Sequence, residues 1–248
     1  MTPMHCHDFI DSLSQAGSVE AVHEVCAQLC HECDFEQFIF GASIPTSFVK
    51  PYVIIISGYP TEWRERYTLE NYIQIDPTVV HCAQHHLPLV WQEMERQDPL
   101  HARVRGFMEE ARDFGLVSGV SFPLHTAQGD FAMLSLASAD PHRRSGGRIR
   151  EAMPFGQLLV AYVHEAVRRI FQQDLLPVTQ ANLTSREKEC LLWVSEGKTA
   201  WETSQILRIS ERTVTFHLQN VVDKLGVVNR QQAIARAVTL GLIQPQLG

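Results

Sequence analysis

The run from Ser210 to Leu225 constrains this chain more than any other stretch. Ser210 is a good helix N-cap, because its hydroxyl can accept a bond from an otherwise unpaired amide one turn in. Val214, Leu218, Val221 and Leu225 then recur at helical spacing and form one apolar stripe. Thr213, His217, Asn220 and Lys224 form a second stripe, polar and without an acid. A helix buried on one side usually carries Glu and Lys on the other. This one carries short donors and acceptors of the kind that reach base edges and phosphates in a DNA major groove.

The residues before the run agree. Thr184-Ser185-Arg186-Glu187 reads as a capping box, followed by an apolar face at Cys190, Leu191 and Val194 and a stop at Gly197. Lys198-Thr199 leads into a second helix, near Ala200 to Leu207, and Arg208-Ile209 is a very short connection to Ser210. Two short helices joined by a tight turn, the second polar outside, form a helix-turn-helix. A last amphipathic helix, about Arg230 to Leu240, closes the bundle, and Gly241 is placed to stop it.

Periodicity alone fits any helical hairpin; the order of residues is more specific. Leu183-Thr-Ser-Arg-Glu187, Gly197-Lys-Thr199, Ile209-Ser-Glu-Arg-Thr-Val214, His217-Leu-Gln-Asn220, Lys224-Leu-Gly226 and Asn229-Arg-Gln-Gln-Ala233 together resemble the DNA-binding domain of the LuxR-type transcription factors. The chain departs from that family at Trp201 and at Thr203-Ser204, where Ile-Ala is usual, changes that could loosen the first helix of the motif. The resemblance implies a DNA-contacting set of Lys198, Thr199, Ser210, Arg212, Thr213, Thr215, His217, Gln219, Asn220 and Lys224. Of these, Lys198, Arg212 and Thr213 would meet phosphates, and Thr215, His217 and Gln219 bases or backbone.

A chain of 248 residues allows one large or two modest domains. No apolar run approaches the roughly 18 residues that span a bilayer. The start, Met1-Thr-Pro-Met-His-Cys-His, has no basic region or apolar core of a signal peptide, so a cytoplasmic protein is expected. Charge is uneven: from Gln180 onward there are eight Lys+Arg against six Asp+Glu, leaving 13 against 22 for the rest. An acidic domain beside a slightly basic one fits a sensor attached to a DNA reader. The basic excess is too small for strong binding by one copy, which argues for a dimer. His23, Cys26, Cys30, His31 and Cys33 lie close enough in sequence for a metal site but lack paired Cys-x-x-Cys knuckles. Cys26, Cys30 and Cys33 share a helical face with Val22 and Leu29, so they read as small apolar residues, and no metal is expected.

Along the N-terminal part, His7–Leu13 and Ser18–Cys33 read as helices and Gln37–Ile44 as a strand. Tyr52–Ser57 is β-branched enough to read as a buried strand. Thr61–Asn71 reads as a helix, and Asp76 can cap another that begins at Pro77 and runs to about His85. Leu89–Trp91 reads as extended, Asp98–Gly115 as a helix, and Gly119–His125 with Phe131–Ala137 as a hairpin. Ser138–Gly147 reads as a polar loop and Glu151–Gln173 as a long helix able to cover the sheet and meet a partner.

Tyr59, Trp63 and Tyr67 are spaced four apart and share one face if helical; Asp76 and Trp91 follow soon after. Buried Tyr and Trp need partners for their O–H and N–H groups, and an unpaired buried carboxylate costs several kcal/mol. Two readings meet these needs. A small guest completes the set, or Asp76 only caps its helix while the aromatics pack together.

Tyr59-Pro-x-x-Trp63-x-x-x-Tyr67, Asp76-Pro77, Trp91 and Gly115-x-x-x-Gly119-x-x-x-Pro123 resemble the acyl-homoserine-lactone-binding domain of the same family. The resemblance implies that Trp63 N–H donates to the lactone carbonyl and that Asp76 accepts the ligand amide N–H. It implies that Tyr59 and Ser135 hydroxyls hold the amide carbonyl and that Tyr67 and Trp91 wall the ring and chain. Ile39, where some members carry Ser, would make that part of the lining apolar. Ile54, Ile56, Val79, Phe107 and Leu116 would line the tail.

The expected architecture is α+β. An N-terminal α/β/α sandwich with a central antiparallel sheet spans 1–171, a linker 172–182, and a four-helix helix-turn-helix domain 183–248. The expected function is a lactone-responsive quorum-sensing regulator, an activator, that binds an inverted-repeat operator as a homodimer and meets RNA polymerase, with no cofactor and no membrane. An orphan regulator of the same fold, with another ligand or none, is the alternative. A phosphorylation-regulated response regulator would need a strand-end acidic pocket, and none is visible. An enzyme would need a nucleophile elbow, metal motif or phosphate loop, and the sequence has none.

Overall fold

A computed structural model describes residues 3–45, 50–97, 102–140, 145–171 and 182–244. The chain divides into two compact units, one holding the sheet and the helices up to Phe171, the other dominated by the C-terminal helices.

In the first unit, α1 (Pro3–Gln15) and α2 (Val19–Glu32) lead into β1 (Gln37–Ile44) and β2 (Tyr52–Ser57). After α3 (Thr61–Leu69) come a 3-10 turn at Tyr72–Gln74, α4 (Pro77–Gln84), β3 (Leu89–Val90), α5 (Trp91–Gln97) and α6 (Ala102–Asp113). The hairpin β4 (Ser118–His125) and β5 (Phe131–Ser138) precedes α7 (Ser145–Ile170). The five strands form one sheet in the order β2-β1-β5-β4-β3, with β1, β4 and β5 antiparallel to their described neighbours.

The register places Ile39 opposite Ser135, Ser135 opposite Ser121 and Ser121 opposite Leu89, one row across four strands. Strand side chains alternate in direction, so the two sheet faces differ. Phe38, Phe40, Leu134, Leu136, Val120 and Phe122 form an almost wholly buried face. That face carries α7, on which Gly156 leaves room for the Phe122 ring; any β-carbon at 156 would strike it. Ile39, Ser135, Ser121 and Gly119 occupy the opposite face, over which α4 and α5 pack.

Several elements differ from their sequence expectation. β2 is an edge strand with Val53 and Ile55 exposed, because only one of its faces meets the core. Trp91 opens a helix rather than ending a strand. The α7 helix begins at Ser145, six residues earlier than the composition suggested, and so takes in Gly146 and Gly147 as well as Gly156. The expected start at Asp98 and nearly all of the 172–182 linker lie outside the described residues.

In the second unit, α8 (Ser185–Ser195), α9 (Ala200–Leu207), α10 (Glu211–Leu225) and α11 (Arg230–Thr239) surround a core of Leu191, Val214, Leu218, Val221 and Ala237. Thr184 and Thr199 each make a capping box, and Ser210 and Asn229 cap α10 and α11. Between α9 and α10 the chain turns at Arg208, which holds a left-handed φ of 55°. That conformation costs a non-glycine residue about 1 kcal/mol. Among the described residues no helix is long and apolar enough to cross a membrane.

Candidate ligand pocket and nucleic-acid interface

The pocket is built from α3 upward. Thr61 to Leu69 puts Trp63 and Tyr67 one turn apart on one face. Trp63 is 3 % exposed and packs against Phe114, Phe107, Tyr72 and Tyr67 at ring separations of 5.3, 5.7, 5.9 and 6.1 Å. Its ring is therefore fixed from several sides. Tyr59, Trp91, Leu116 and Ala137 join the same cluster.

Asp76 does two jobs. One oxygen, Oδ1, accepts from Thr78 N at 2.8 Å, Thr78 Oγ1 at 2.7 Å and Val79 N at 3.4 Å, which caps α4. The other, Oδ2, accepts from the Tyr67 hydroxyl at 3.0 Å. Burial pushes the Asp76 carboxyl above its ordinary pKa, against the opposing pull of the Thr78, Tyr67 and Val79 bonds. Burial and the nearby Asp76 carboxylate also raise the Tyr59 and Tyr67 phenols, which stay protonated donors. A carboxylate offers about four acceptor positions. Oδ2 has accepted only one bond among the described residues, so it can take a further N–H.

On the sheet, Trp91 Nε1 donates to Ser121 Oγ at 3.0 Å, and Ser121 Oγ lies 2.7 Å from Ser135 Oγ. Gly119 lets the indole sit there: a β-carbon at 119 would come within 2.8 Å of the Trp91 ring. Two donors stand apart from these networks. Among the described residues, the Trp63 indole N–H and the Tyr59 hydroxyl make no hydrogen bond. The polar groups are thus partly satisfied by one another, as the helix-capping reading holds, but not completely.

Of the residues singled out in the sequence, Tyr59, Trp63, Tyr67 and Trp91 are in one cluster, with Asp76 bonded to Tyr67. Ser135 is bonded to Ser121, the partner of Trp91, and Ile39 is the neighbour of Ser135 in the sheet. Sequence reasoning missed Ser121, Tyr72 and Phe114. Ser121 was recoverable from strand parity with Ser135 across the hairpin; the others needed the tertiary fold. Tyr72 is held by a 2.8 Å bond to Glu110, itself paired with Arg66. His23, Cys26, Cys30, His31 and Cys33 do not converge as a metal cluster among the described residues, and burial pushes the Cys26 and Cys30 thiols up to about 12.

The α10 helix has a different outer face from the one its sequence suggested. Its core side is Val214, Leu218, Val221 and Leu225, all buried. At about 100° per residue, Phe216 and Asp223 point about 170° away from that core direction and Arg212 about 150°. Thr213, His217 and Lys224 lie only about 70–110° away, on the flank. Thr213, His217 and Asn220 are half-buried, whereas Arg212, Thr215, Phe216 and Gln219 are exposed. Lys224 Nζ lies 2.7 Å from the Glu187 carboxylate and 3.2 Å from the Asn182 carbonyl. Burial acts to raise the Glu187 pKa, but the Lys224 and Thr184 bonds outweigh it and hold the carboxyl below its usual value. Ser210 bonds Thr213, and Thr199 bonds Glu202, as caps; Lys198 is exposed.

Comparison with known proteins places the chain in a family. The autoinducer binding domain model matches residues 18–167, and the bacterial regulatory protein, luxR family model matches residues 181–237. Transcriptional activator protein LuxR of Aliivibrio fischeri is 34 % identical over 234 residues, 94 % of this chain and 92 % of that protein. Transcriptional activator protein SolR of Ralstonia solanacearum is 37 % identical over 246 residues, 95 % of this chain and 99 % of that protein. Among solved structures, Escherichia coli SdiA superposes with a TM-score of 0.77 at 26 % identity, over 97 % of this chain and 98 % of that one. SdiA in complex with octanoyl-rac-glycerol gives 0.78 at 25 % identity, over 99 % of each chain. The chain belongs to the LuxR family of bacterial transcription factors, with an autoinducer-binding domain followed by a helix-turn-helix DNA-binding domain, and is not an enzyme.

Proposed function

We propose that this regulator senses an N-acyl-homoserine lactone and binds a two-fold symmetric promoter site as a homodimer. The observation that carries the ligand class is the polar inventory of the pocket. Two donors, Trp63 N–H and Tyr59 O–H, have no described partner, and the Asp76 Oδ2 oxygen can accept one more N–H. A lactone supplies a ring carbonyl for Trp63, an amide carbonyl for Tyr59 and an amide N–H for Asp76. Trp91 can only donate, so one proton order in the Trp91–Ser121–Ser135 chain leaves the Ser135 hydroxyl free to donate to the same amide carbonyl. Tyr67 and Trp91 wall the ring and chain, and Ile39 gives the adjoining strand position an apolar lining.

In this reading the lactone stabilises the sensor by mass action. Head-group recognition is directional, while chain length is judged by apolar fit at roughly 0.8 kcal/mol per methylene. The sensor spans 1–171, the linker 172–182 and the DNA-binding domain 183–248. The α7 and α11 helices pair two copies, so that two α10 helices enter successive major grooves about one helical turn apart. Lys198, Arg212, Thr199, Ser210 and Thr213 hold phosphates, and Thr215, His217, Gln219 and Asn220 lie toward the groove. Lys224 acts instead as a strut for Glu187. The protein acts as an activator, in line with the names of its relatives; in this reading it works in the cytoplasm and meets RNA polymerase.

One observation favours a second reading, an acyl ester without an amide: the fold is shared with SdiA, seen in complex with octanoyl-rac-glycerol. Mass spectrometry of the small molecule co-purifying with protein expressed with and without added lactones tests the two. Retention of a lactone, with a higher soluble yield, supports the first reading; retention of a glycerol ester in preference to lactone overturns it.

A further inference from the structure

We propose that Phe216 reads the methyl group of a thymine in the major groove and is a specificity-determining residue of this regulator. The inference deepens the DNA-binding reading of α10 and rests on it. Phe216 is 61 % exposed, although it is one of the largest apolar side chains in its domain. It stands at the pole of α10, opposite Val214, Leu218, Val221 and Leu225, in the half of the helix that a helix-turn-helix presents to base edges.

The polar neighbours of Phe216 are partly engaged with the helix itself. Thr215 Oγ1 donates to the Glu211 carbonyl at 3.0 Å, and Gln219 Nε2 donates to Asp223 at 2.9 Å. The pole therefore offers an apolar ring, set in position by its helix and in contact with the His217 ring at 5.8 Å. Exposed Arg212 one turn earlier supplies a positive charge beside it.

A phenyl ring has no donor or acceptor. Against most base edges it would remove water from hydrogen-bonding groups and return nothing. The major-groove edge of B-DNA carries one apolar group, the C5-methyl of thymine. The ring is thus favoured over a base pair that presents this methyl and disfavoured over G·C.

The test selects duplexes from a randomised pool with the full-length, lactone-loaded protein, with its Phe216→Ala variant and with Phe216→Leu. The wild type is expected to enrich a thymine at symmetry-related positions. Phe216→Ala should lose the preference at those positions alone, and Phe216→Leu should keep part of it. Replacing that thymine by uracil removes only the methyl group. It should weaken wild-type binding roughly 3- to 5-fold per half-site, on a methyl-sized apolar contact, and leave Phe216→Ala unchanged. An unchanged selected sequence in Phe216→Ala, or equal weakening of both proteins by uracil, overturns the proposal. Enrichment of no sequence by any of the three proteins overturns the reading of α10 itself, and the proposal with it.

Discussion

Replacing Asp76 by Asn separates the two jobs of that residue. The cap on α4 needs one oxygen, which accepts from Thr78 N, Thr78 Oγ1 and Val79 N. Asn caps helices about as well as Asp, so Asp76→Asn keeps this. Its amide nitrogen then faces Tyr67, whose hydroxyl can turn from donor to acceptor. The ligand-free stability should stay within about 1 kcal/mol of wild type. The lactone fares differently, because the side chain has a single oxygen left. If that oxygen caps α4, an N–H donor meets the ligand N–H; if it flips to the ligand, the cap is lost. Losing a bond to a charged acceptor costs about 1.5–3 kcal/mol, roughly 10- to 100-fold in affinity. Asp76→Ala should differ again, losing the cap and stranding the Tyr67 hydroxyl, a combined cost of about 2–4 kcal/mol before any ligand is added.

Thermal midpoints and titration calorimetry, each with and without lactone, measure both quantities. The pH dependence has a definite sign. The folded-state pKa of Asp76 is raised from 3.8, so its contribution to ligand-free stability falls as pH rises through that value and the raised one. Asp76→Asn should lack that fall. An Asp76→Asn protein with wild-type lactone affinity would refute the head-group assignment.

Three further outcomes follow from the same structure. Trp63→Phe keeps the ring contacts with Phe107 and Phe114 but loses the indole N–H, so the lactone should bind with about 0.5–1.5 kcal/mol less affinity in calorimetry. Lys224→Ala strands a nearly buried Glu187 and should cost about 1–3 kcal/mol in denaturant unfolding, while the slope of DNA affinity against salt stays unchanged; a slope smaller by about one would make Lys224 a phosphate contact instead. In the wild type the Glu187 contribution is present above its unfolded pKa of 4.5 and disappears as pH falls through its depressed folded value, a loss that should shrink in the variant. Thr203→Val removes a buried hydroxyl that has no hydrogen-bond partner among the described residues, and should raise the unfolding free energy of the DNA-binding domain by about 1 kcal/mol in denaturant unfolding.

What could be read before folding was whatever depends on near neighbours. Thr184, Ser210 and Asp76 were visible as caps because capping uses residues two or three positions apart. The β4–β5 hairpin was visible because its turn and its two patterned strands are contiguous. Trp63 and Tyr67 could be grouped from helical spacing; Tyr59 lies just before α3, so it joins them by packing and not by sharing a helix face. The partners that complete them could not, since Ser121, Phe114 and Tyr72 arrive from other elements. The exposure of Val53 and Ile55 was hidden for a related reason: β-branched residues suit any strand, and only sheet order tells an edge from a centre. The outer face of α10 was misjudged by following polarity. Lys224 is exposed, as its charge suggested, but a buried acid 37 positions earlier holds its ammonium.

The most direct measurement compares the thermal midpoint of the full-length protein with N-octanoyl-homoserine lactone and with the matched ester, in which oxygen replaces the amide N–H. If Asp76 waits for an N–H donor, the lactone should raise the midpoint in a concentration-dependent way. The ester should need at least roughly tenfold more ligand for the same rise. Equal shifts from the two, or a larger one from the ester, would contradict the account.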